Sequence, residues 1–102
     1  MVIDPRRWPV APEQAGGGLS IIAHRPPVPA GVGRNVLAQD RHARAEIDLA
    51  HCTSCRATLV HQIRTDPAYR RLGYARALLT VARIRGRDHT WSTMATAHTT
   101  QP

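Results

Sequence analysis

The chain has 102 residues, a length that supports one small domain and excludes a large hydrophobic core. It holds two Trp, two Tyr and no Phe, so the core must be built mainly from Ala, Val, Ile and Leu. Fourteen basic residues, all of them Arg, stand against seven acidic ones, and the net charge of +7 favours anionic partners such as nucleotide cofactors or nucleic acid.

The apolar stretches of the chain carry no membrane or export signal. The first residues contain no apolar run of signal-peptide length, and no segment approaches the roughly 20 apolar residues of a membrane helix. We therefore expect a cytoplasmic protein with no membrane partner. In that compartment Cys52 and Cys55 are expected to be reduced or metal-bound rather than paired in a structural disulfide.

The first third of the chain is predicted to alternate irregular segments with short strands. Residues 1–18 contain three Pro and a run of three Gly, which indicate an irregular N-terminal arm with Trp8 as its one anchor to the body. Residues 19–24 form an apolar run of strand length, and residues 35–39 are a second short strand. Residues 25–33 hold three Pro and two Gly, so they are predicted to be a loop.

The middle of the chain predicts an antiparallel pair of strands joined by the turn that contains both Cys residues. In residues 43–50, apolar and acidic side chains alternate with period two, as in a half-buried strand. Residues 57–65 are the partner strand. Strict alternation there puts one set of side chains on one face (Leu59, His61, Ile63) and the other set on the opposite face (Thr58, Val60, Gln62, Arg64).

An amphipathic helix and a last strand complete the predicted fold. The helix begins at Ala68 or Arg71 and ends at Arg85, where Gly86 stops it. Its predicted apolar stripe is Leu72, Ala75, Leu78, Leu79 and Ala82. Residues 89–94 are the final strand, and a helix of this length between two strands joins parallel neighbours. The expected fold is α+β: a mixed, mostly antiparallel sheet with one main helix in a β-α-β crossover, followed by a polar tail, residues 96–102.

The stretch from Ile63 to Leu79 carries the chemistry, and its centre is residues 70–75, Arg-Arg-Leu-Gly-Tyr-Ala. A strand-to-helix turn exposes backbone N–H groups and the positive end of the helix dipole, which together bind anions. Gly73 and Ala75 allow a phosphate to approach the backbone closely. Arg70, Arg71 and Arg76 add positive charge.

This stretch resembles the motif of the GNAT superfamily of N-acetyltransferases, in which Arg or Gln, two residues, Gly, one residue and then Gly or Ala open a helix. The resemblance implies a short or truncated member whose acetyl-CoA-binding domain covers residues 19–95 and forms a partial acyl-CoA N-acyltransferase fold. It also implies that the amides of residues 70–75 cradle the pyrophosphate, and that residues 63–65 hold the pantetheine arm beside the strand at residues 89–94. The cofactor-binding residues so implied are Ile63, Arg64, Thr65, Arg70, Arg71, Leu72, Gly73, Tyr74 and Ala75.

The function implied by the resemblance is transfer of an acetyl group from acetyl-CoA to a primary amine, which attacks the thioester directly. A base takes the amine proton in such a reaction. The available groups are Glu46, Asp48, His61 and Asp66, and none is assigned as catalytic. Two alternatives stay open: a CoA-binding subunit without turnover, and a small Arg-rich nucleic-acid-binding protein, which the absence of interleaved aromatic residues disfavours. A homodimer is also open.

The Cys52-Thr-Ser-Cys55 turn has three interpretations. Plain turn residues are favoured. A zinc site would need further ligands, from His42, His51 or His61 or from a second chain, and is not favoured. A redox pair is the third interpretation, although redox pairs of the thioredoxin type begin a helix, and this pair lies between two strands.

Overall fold

Alternating apolar and polar residues form a sheet whose strands follow one another in chain order. The computed structural model describes residues 3–93. Its strands are Glu13–Gly16 (β1), Leu19–His24 (β2), Val32–Gln39 (β3), His42–Cys52 (β4), Ala57–Thr65 (β5) and Thr90–Thr93 (β6), with a helix at Tyr74–Arg85 (α1) and a 3₁₀ turn at Pro67–Tyr69.

The six strands make one sheet in the order β1-β2-β3-β4-β5-β6. Neighbours from β1 to β5 are antiparallel, and β5 and β6 are parallel. The helix lies between the two parallel strands in sequence, because a parallel pair needs a crossover connection. The predicted α+β class, with a mostly antiparallel sheet and one helix, is confirmed.

The helix covers one face of the sheet and forms the core there. From β4, Ala45, Ile47 and Leu49 are buried on this face, as their alternation predicted. From α1, Leu78 and Ala82 are fully buried against them. The rest of the buried apolar cluster consists of Trp8, Ile21, Leu37 and Val60. The opposite face of β4 carries Glu46 and Asp48, which lie closer to solvent.

A bulge in β5 overturns the strict alternation predicted for that strand. Leu49 pairs with Val60 and Asp48 pairs with Gln62, so His61 is an extra residue opposite β4. Beyond the bulge the faces are exchanged: Ile63 shares the helix-side face with Val60, and Leu59 does not. The predicted set of Leu59, His61 and Ile63 on one face is therefore wrong.

The N-terminal segment is more regular than its composition predicted. Residues 13–16 form β1, which pairs with β2. In the run of three Gly that suggested an irregular arm, Gly16 ends β1 and Gly17 and Gly18 form the hairpin turn; all three adopt positive φ, which glycine allows at little cost. Trp8 is 1% exposed and packs on Gly33, where any Cβ would lie 2.5 Å from its ring, so Trp8 does anchor the segment to the body.

The helix begins at Tyr74, later than the predicted Ala68 or Arg71, because residues 66–73 form a separate turn. Leu72 precedes the helix and is 58% exposed, so it does not belong to the apolar stripe. The helix ends at Arg85 with Gly86 as its C-cap, as predicted. The last strand falls within the predicted range, whereas Met94 and the tail at 96–102 lie outside the described residues.

Candidate cofactor site

The turn between β5 and α1 contains two residues of left-handed φ just before the helix. Asp66 accepts a hydrogen bond from the Ala68 N–H at 3.0 Å and so caps the 3₁₀ turn. Arg71 and Gly73 then adopt left-handed φ of 71° and 81°, with Leu72 between them at negative φ. Successive residues with φ of alternating sign turn their N–H groups toward one side, where an anion can accept from them.

The helix that follows this turn begins without a capping side chain. The Gly73 carbonyl accepts from the Ala77 N–H at 2.9 Å, which makes Gly73 the N-cap. Glycine has no side chain to cap the helix, and the first turn contains no acidic residue. The N–H groups of Tyr74, Ala75 and Arg76 consequently have no intrahelical acceptor and lie at the positive end of the helix dipole.

Three Arg residues lie in or next to this helix start in sequence. Arg70, Arg71 and Arg76 are exposed, and within residues 3–93 none of them forms a salt bridge. Other Arg residues of the chain, such as Arg7 and Arg64, are paired with carboxylates. This part of the chain therefore has a local excess of positive charge, with guanidinium N–H groups that form no salt bridge within residues 3–93.

Aromatic stacking supports the base of the turn. The rings of Tyr69 and Tyr74 stack with centroids 6.1 Å apart, and the Arg44 guanidinium lies 4.2 Å from the Tyr69 ring centroid. These contacts bridge residues 66–73 to β4. Tyr74 is thus occupied by packing, while its backbone N–H stays at the open helix start.

A second feature lies along β5. Its pairing with β6 covers only Ala57–Val60, so residues 61–65 have no strand partner on that edge within the described part of the chain. Beside this edge is a groove of about 280 Å³ lined by Val60, Ile63, Leu79, Arg83, Trp91, Ser92 and Thr93. Ile63, 42% exposed, borders the groove, and Leu79 stands roughly 8 Å along α1 from Tyr74.

Arg64 and the acidic residues of β4 face the other side of the sheet. Arg64 Nη2 lies 2.8 Å from Glu46 Oε1 and 3.1 Å from Asp48 Oδ2. Arg34 Nε lies 2.7 Å from Asp48 Oδ1. Burial raises the pKa of Asp48, but the hydrogen bond from Arg34 and the charge of Arg64 outweigh it, so the pKa is lowered on balance. Asp48 is therefore held as a paired carboxylate, and both sequence-predicted bases of β4 are engaged in ion pairs.

These ion pairs border a wider groove of about 470 Å³ on the helix-free face of the sheet, with His24, Val32 and Arg34 among its other lining residues. The last two candidate bases lie apart from it. Asp66 serves as a cap, and His61 occupies the bulge of β5. The structure thus does not gather the four candidates into one site.

A buried hydrogen-bond network under the C-terminal end of α1 was not predicted from the sequence. Arg7, 5% exposed, donates to the Arg85 carbonyl at 2.7 Å and to Asp88 Oδ2 at 2.9 Å. Its Nη2 also lies 3.0 Å from His89 Nε2. The network continues from His89 Nδ1 to Thr58 Oγ1 at 3.0 Å and from Thr58 Oγ1 to His51 Nδ1 at 2.8 Å. The signal was present in β4 as His51, which continues the buried alternation of Ala45, Ile47 and Leu49.

The guanidinium of Arg7 fixes the donor and acceptor roles along this network, since the Arg guanidinium can only donate hydrogen bonds. His89 Nε2 must accept, so neutral His89 carries its proton on Nδ1 and donates to Thr58. The Thr58 hydroxyl then donates to His51 Nδ1, which leaves the His51 proton on Nε2, a buried atom with no partner among residues 3–93. Desolvation, with repulsion from His89 and Arg7, lowers the pKa of His51 to about 4, and desolvation also lowers the pKa of His89.

Cys52 and Cys55 form a disulfide, contrary to the expectation that they are reduced. The tight turn between β4 and β5 brings their Cα atoms within 5.2 Å, a distance that a disulfide spans. No cluster of three or more His, Cys, Asp or Glu suited to a metal ion occurs within residues 3–93. His51 in particular is held on the helix-side face by Thr58.

No protein-family model, curated protein or solved structure matches this chain. Within residues 3–93, no helix combines the length and apolar character that a membrane crossing requires.

Proposed function

We propose that this protein is an N-acetyltransferase of the GNAT type, which transfers the acetyl group of acetyl-CoA to a primary amine in the cytoplasm. The observation that carries the proposal is the junction of the turn with the first residues of α1, at residues 70–76. There a helix start without a side-chain cap, two residues of left-handed φ and three Arg residues that form no salt bridge within residues 3–93 follow one another along the chain. A pyrophosphate is the ligand that this combination of N–H donors and cations suits best.

The edge of β5 beyond Val60 supports the second half of the proposed site. A pantetheine arm carries amide groups that accept and donate hydrogen bonds as a strand does. Within residues 3–93 no strand pairs with residues 61–65 on this edge, so the N–H and C=O groups there that do not bond to β4 offer it partners. The adjoining groove offers apolar contacts from Ile63, Leu79 and Trp91.

In the proposed reaction the amine nitrogen attacks the thioester carbonyl carbon, and the CoA sulfur leaves as a thiolate. The positive helix start and its Arg residues stabilise the charge of the bound phosphates rather than the reacting atoms. The ion pairs of Glu46 and Asp48 with Arg64 argue against either carboxylate as the base in this state. We assign no base, and water is the simplest proton acceptor.

A second candidate follows from the same ion pairs. With Glu46 and Asp48 held in ion pairs and no water positioned as the base, the site would bind CoA without transferring its acetyl group. Such a protein would be a CoA-binding subunit. The two candidates differ in turnover and share the cofactor site.

The test is calorimetric titration of the protein with acetyl-CoA. Gly73→Glu puts a carboxylate at the proposed phosphate site, and Gly18→Glu is its matched control, because both glycines have φ near 80° and open space around the position of a Cβ. We expect micromolar binding that Gly73→Glu abolishes and Gly18→Glu preserves. A wild-type protein that gives no heat and no thermal shift with acetyl-CoA would contradict the proposal.

Turnover is then assayed by release of free CoA with a panel of small amines and amine-bearing peptides. Transfer to any of them supports the enzyme. Binding without release across the panel supports the CoA-binding subunit.

A further inference from the structure

The tip of the β4–β5 hairpin holds a disulfide in an exposed position. Thr53, Ser54, Cys55 and Arg56 are exposed, and Cys52 is half-buried at the end of β4. A disulfide that closes so short a ring removes little entropy from the unfolded chain, so it contributes less to stability than a bridge between distant segments. Its position and brevity are poorly explained by a structural role alone.

The two sulfur atoms have different surroundings. The Cys55 backbone N–H donates to Cys52 Sγ at 3.2 Å. The Ser54 hydroxyl lies 3.6 Å from the same atom, and it must be the donor because a disulfide sulfur carries no proton. Donors to a sulfur stabilise its thiolate and make it a better leaving group. Cys55 Sγ, on the exposed residue, is the sulfur that an external thiol reaches more readily.

The turn is also held by backbone hydrogen bonds that do not involve the sulfur atoms. Cys52 pairs with Ala57 in the ladder between β4 and β5, and the Arg56 N–H donates to the Thr53 carbonyl at 3.2 Å. The Arg56 carbonyl in turn accepts from the Thr90 N–H at 2.8 Å, which ties the tip to β6. Backbone bonds therefore hold the two Cys residues near each other in the reduced state, ready to close again.

We propose that Cys52 and Cys55 form a reversible dithiol–disulfide site that exchanges with small thiols, and this inference is independent of the acetyltransferase proposal. An external thiolate attacks Cys55 Sγ, the S–S bond breaks, and its electron pair leaves on Cys52 Sγ. A second external thiolate attacks the external sulfur of the mixed disulfide and releases the Cys55 thiolate. Two external thiols are thereby oxidised to one disulfide, the protein gains two electrons, and both Cys thiolates take up protons.

The test uses the folded full chain in glutathione buffers of varied ratio, with alkylation and mass spectrometry to count free thiols. We expect conversion between disulfide and dithiol with an unchanged circular dichroism spectrum. After brief exposure to reduced glutathione and alkylation, the trapped adduct should lie on Cys55. A disulfide that glutathione reduces only once the protein unfolds, or an adduct confined to Cys52, would overturn the proposal.

A variant pair tests the leaving-group argument. Ser54→Ala removes one donor to Cys52 Sγ and should slow reduction about fivefold, the factor that one weak hydrogen bond contributes. Thr53→Ala changes a neighbouring exposed side chain that has no hydrogen bond to either sulfur within residues 3–93, and should leave the rate unchanged. Equal rates in Ser54→Ala and the wild type would refute the role of Ser54, and an equal loss in both variants would show a general effect of the turn.

Discussion

Acid should destabilise this protein through His51, because the pKa of this buried ring is lowered in the folded chain. His51 is 2% exposed, its pKa is about 4, and an unfolded His titrates near 6.5. The unfolded state therefore binds a proton between these values and the native state does not. The contribution of His51 to stability is complete above pH 6.5 and is lost as the pH falls toward 4.

The size of the effect follows from the shift. A difference of about 2.5 pKa units corresponds to about 3 kcal/mol in total, of which about 2 kcal/mol is lost between pH 7.5 and pH 5. His89, whose pKa is also lowered, acts in the same direction. Protonation of either ring would also disturb the hydrogen bonds that Arg7 directs through His89 and Thr58.

The assay is urea unfolding at intervals from pH 7.5 to pH 5, followed by fluorescence. His51→Asn replaces the ring with a group that does not titrate and still offers an acceptor to Thr58. We expect this variant to lose about 2 kcal/mol less over that range than the wild type. His24→Asn, at an exposed position, is the control and should keep the wild-type slope. Equal pH slopes in His51→Asn and the wild type would refute the reasoning.

Three further predictions concern packing and charge. Leu78→Ala should lower the free energy of unfolding by about 3 kcal/mol because Leu78 is fully buried. Leu72→Ala, at a position that is 58% exposed, should lower it by less than about 0.5 kcal/mol. Urea unfolding measures both changes. Gly33→Ala should lower the free energy of unfolding by about 2 kcal/mol and alter tryptophan fluorescence, since the added Cβ would overlap the ring of Trp8. Asp48→Asn should lower the free energy of unfolding by about 1–2 kcal/mol at pH 7. The difference in free energy of unfolding between the wild type and this variant should vanish as acid protonates Asp48, because the ion pairs that lower its pKa stabilise only the ionised carboxylate. A difference that is undiminished at pH 2.5 would contradict a stabilising role of these ion pairs.

Local patterns in the sequence determined the order and type of most elements. The bounds of β5 were predicted to the residue, and those of β4, of the last strand and of the end of α1 were predicted closely. These elements depend on local signals: period-two alternation, a Gly that stops the helix, and β-forming residues. A strand-to-helix turn between β5 and α1 was also expected from the sequence, but it extends to Gly73, beyond the predicted helix start. Whether it binds acetyl-CoA remains a prediction that the titration will decide.

Only the tertiary structure decided which residues meet. The bulge at His61 comes from the register of β5 against β4, and it moved Ile63 to the helix-side face against its sequence pattern. The contacts of Arg7 with His89 join residues 82 positions apart, a pairing that no local spacing encodes. The disulfide depended on the turn bringing two Cα atoms together, and the left-handed φ of Arg71, which delays the helix to Tyr74, is a conformation that the residue type itself disfavours. Periodicity therefore specified the elements, whereas register, long-range packing and backbone conformation specified which residues meet in the candidate site.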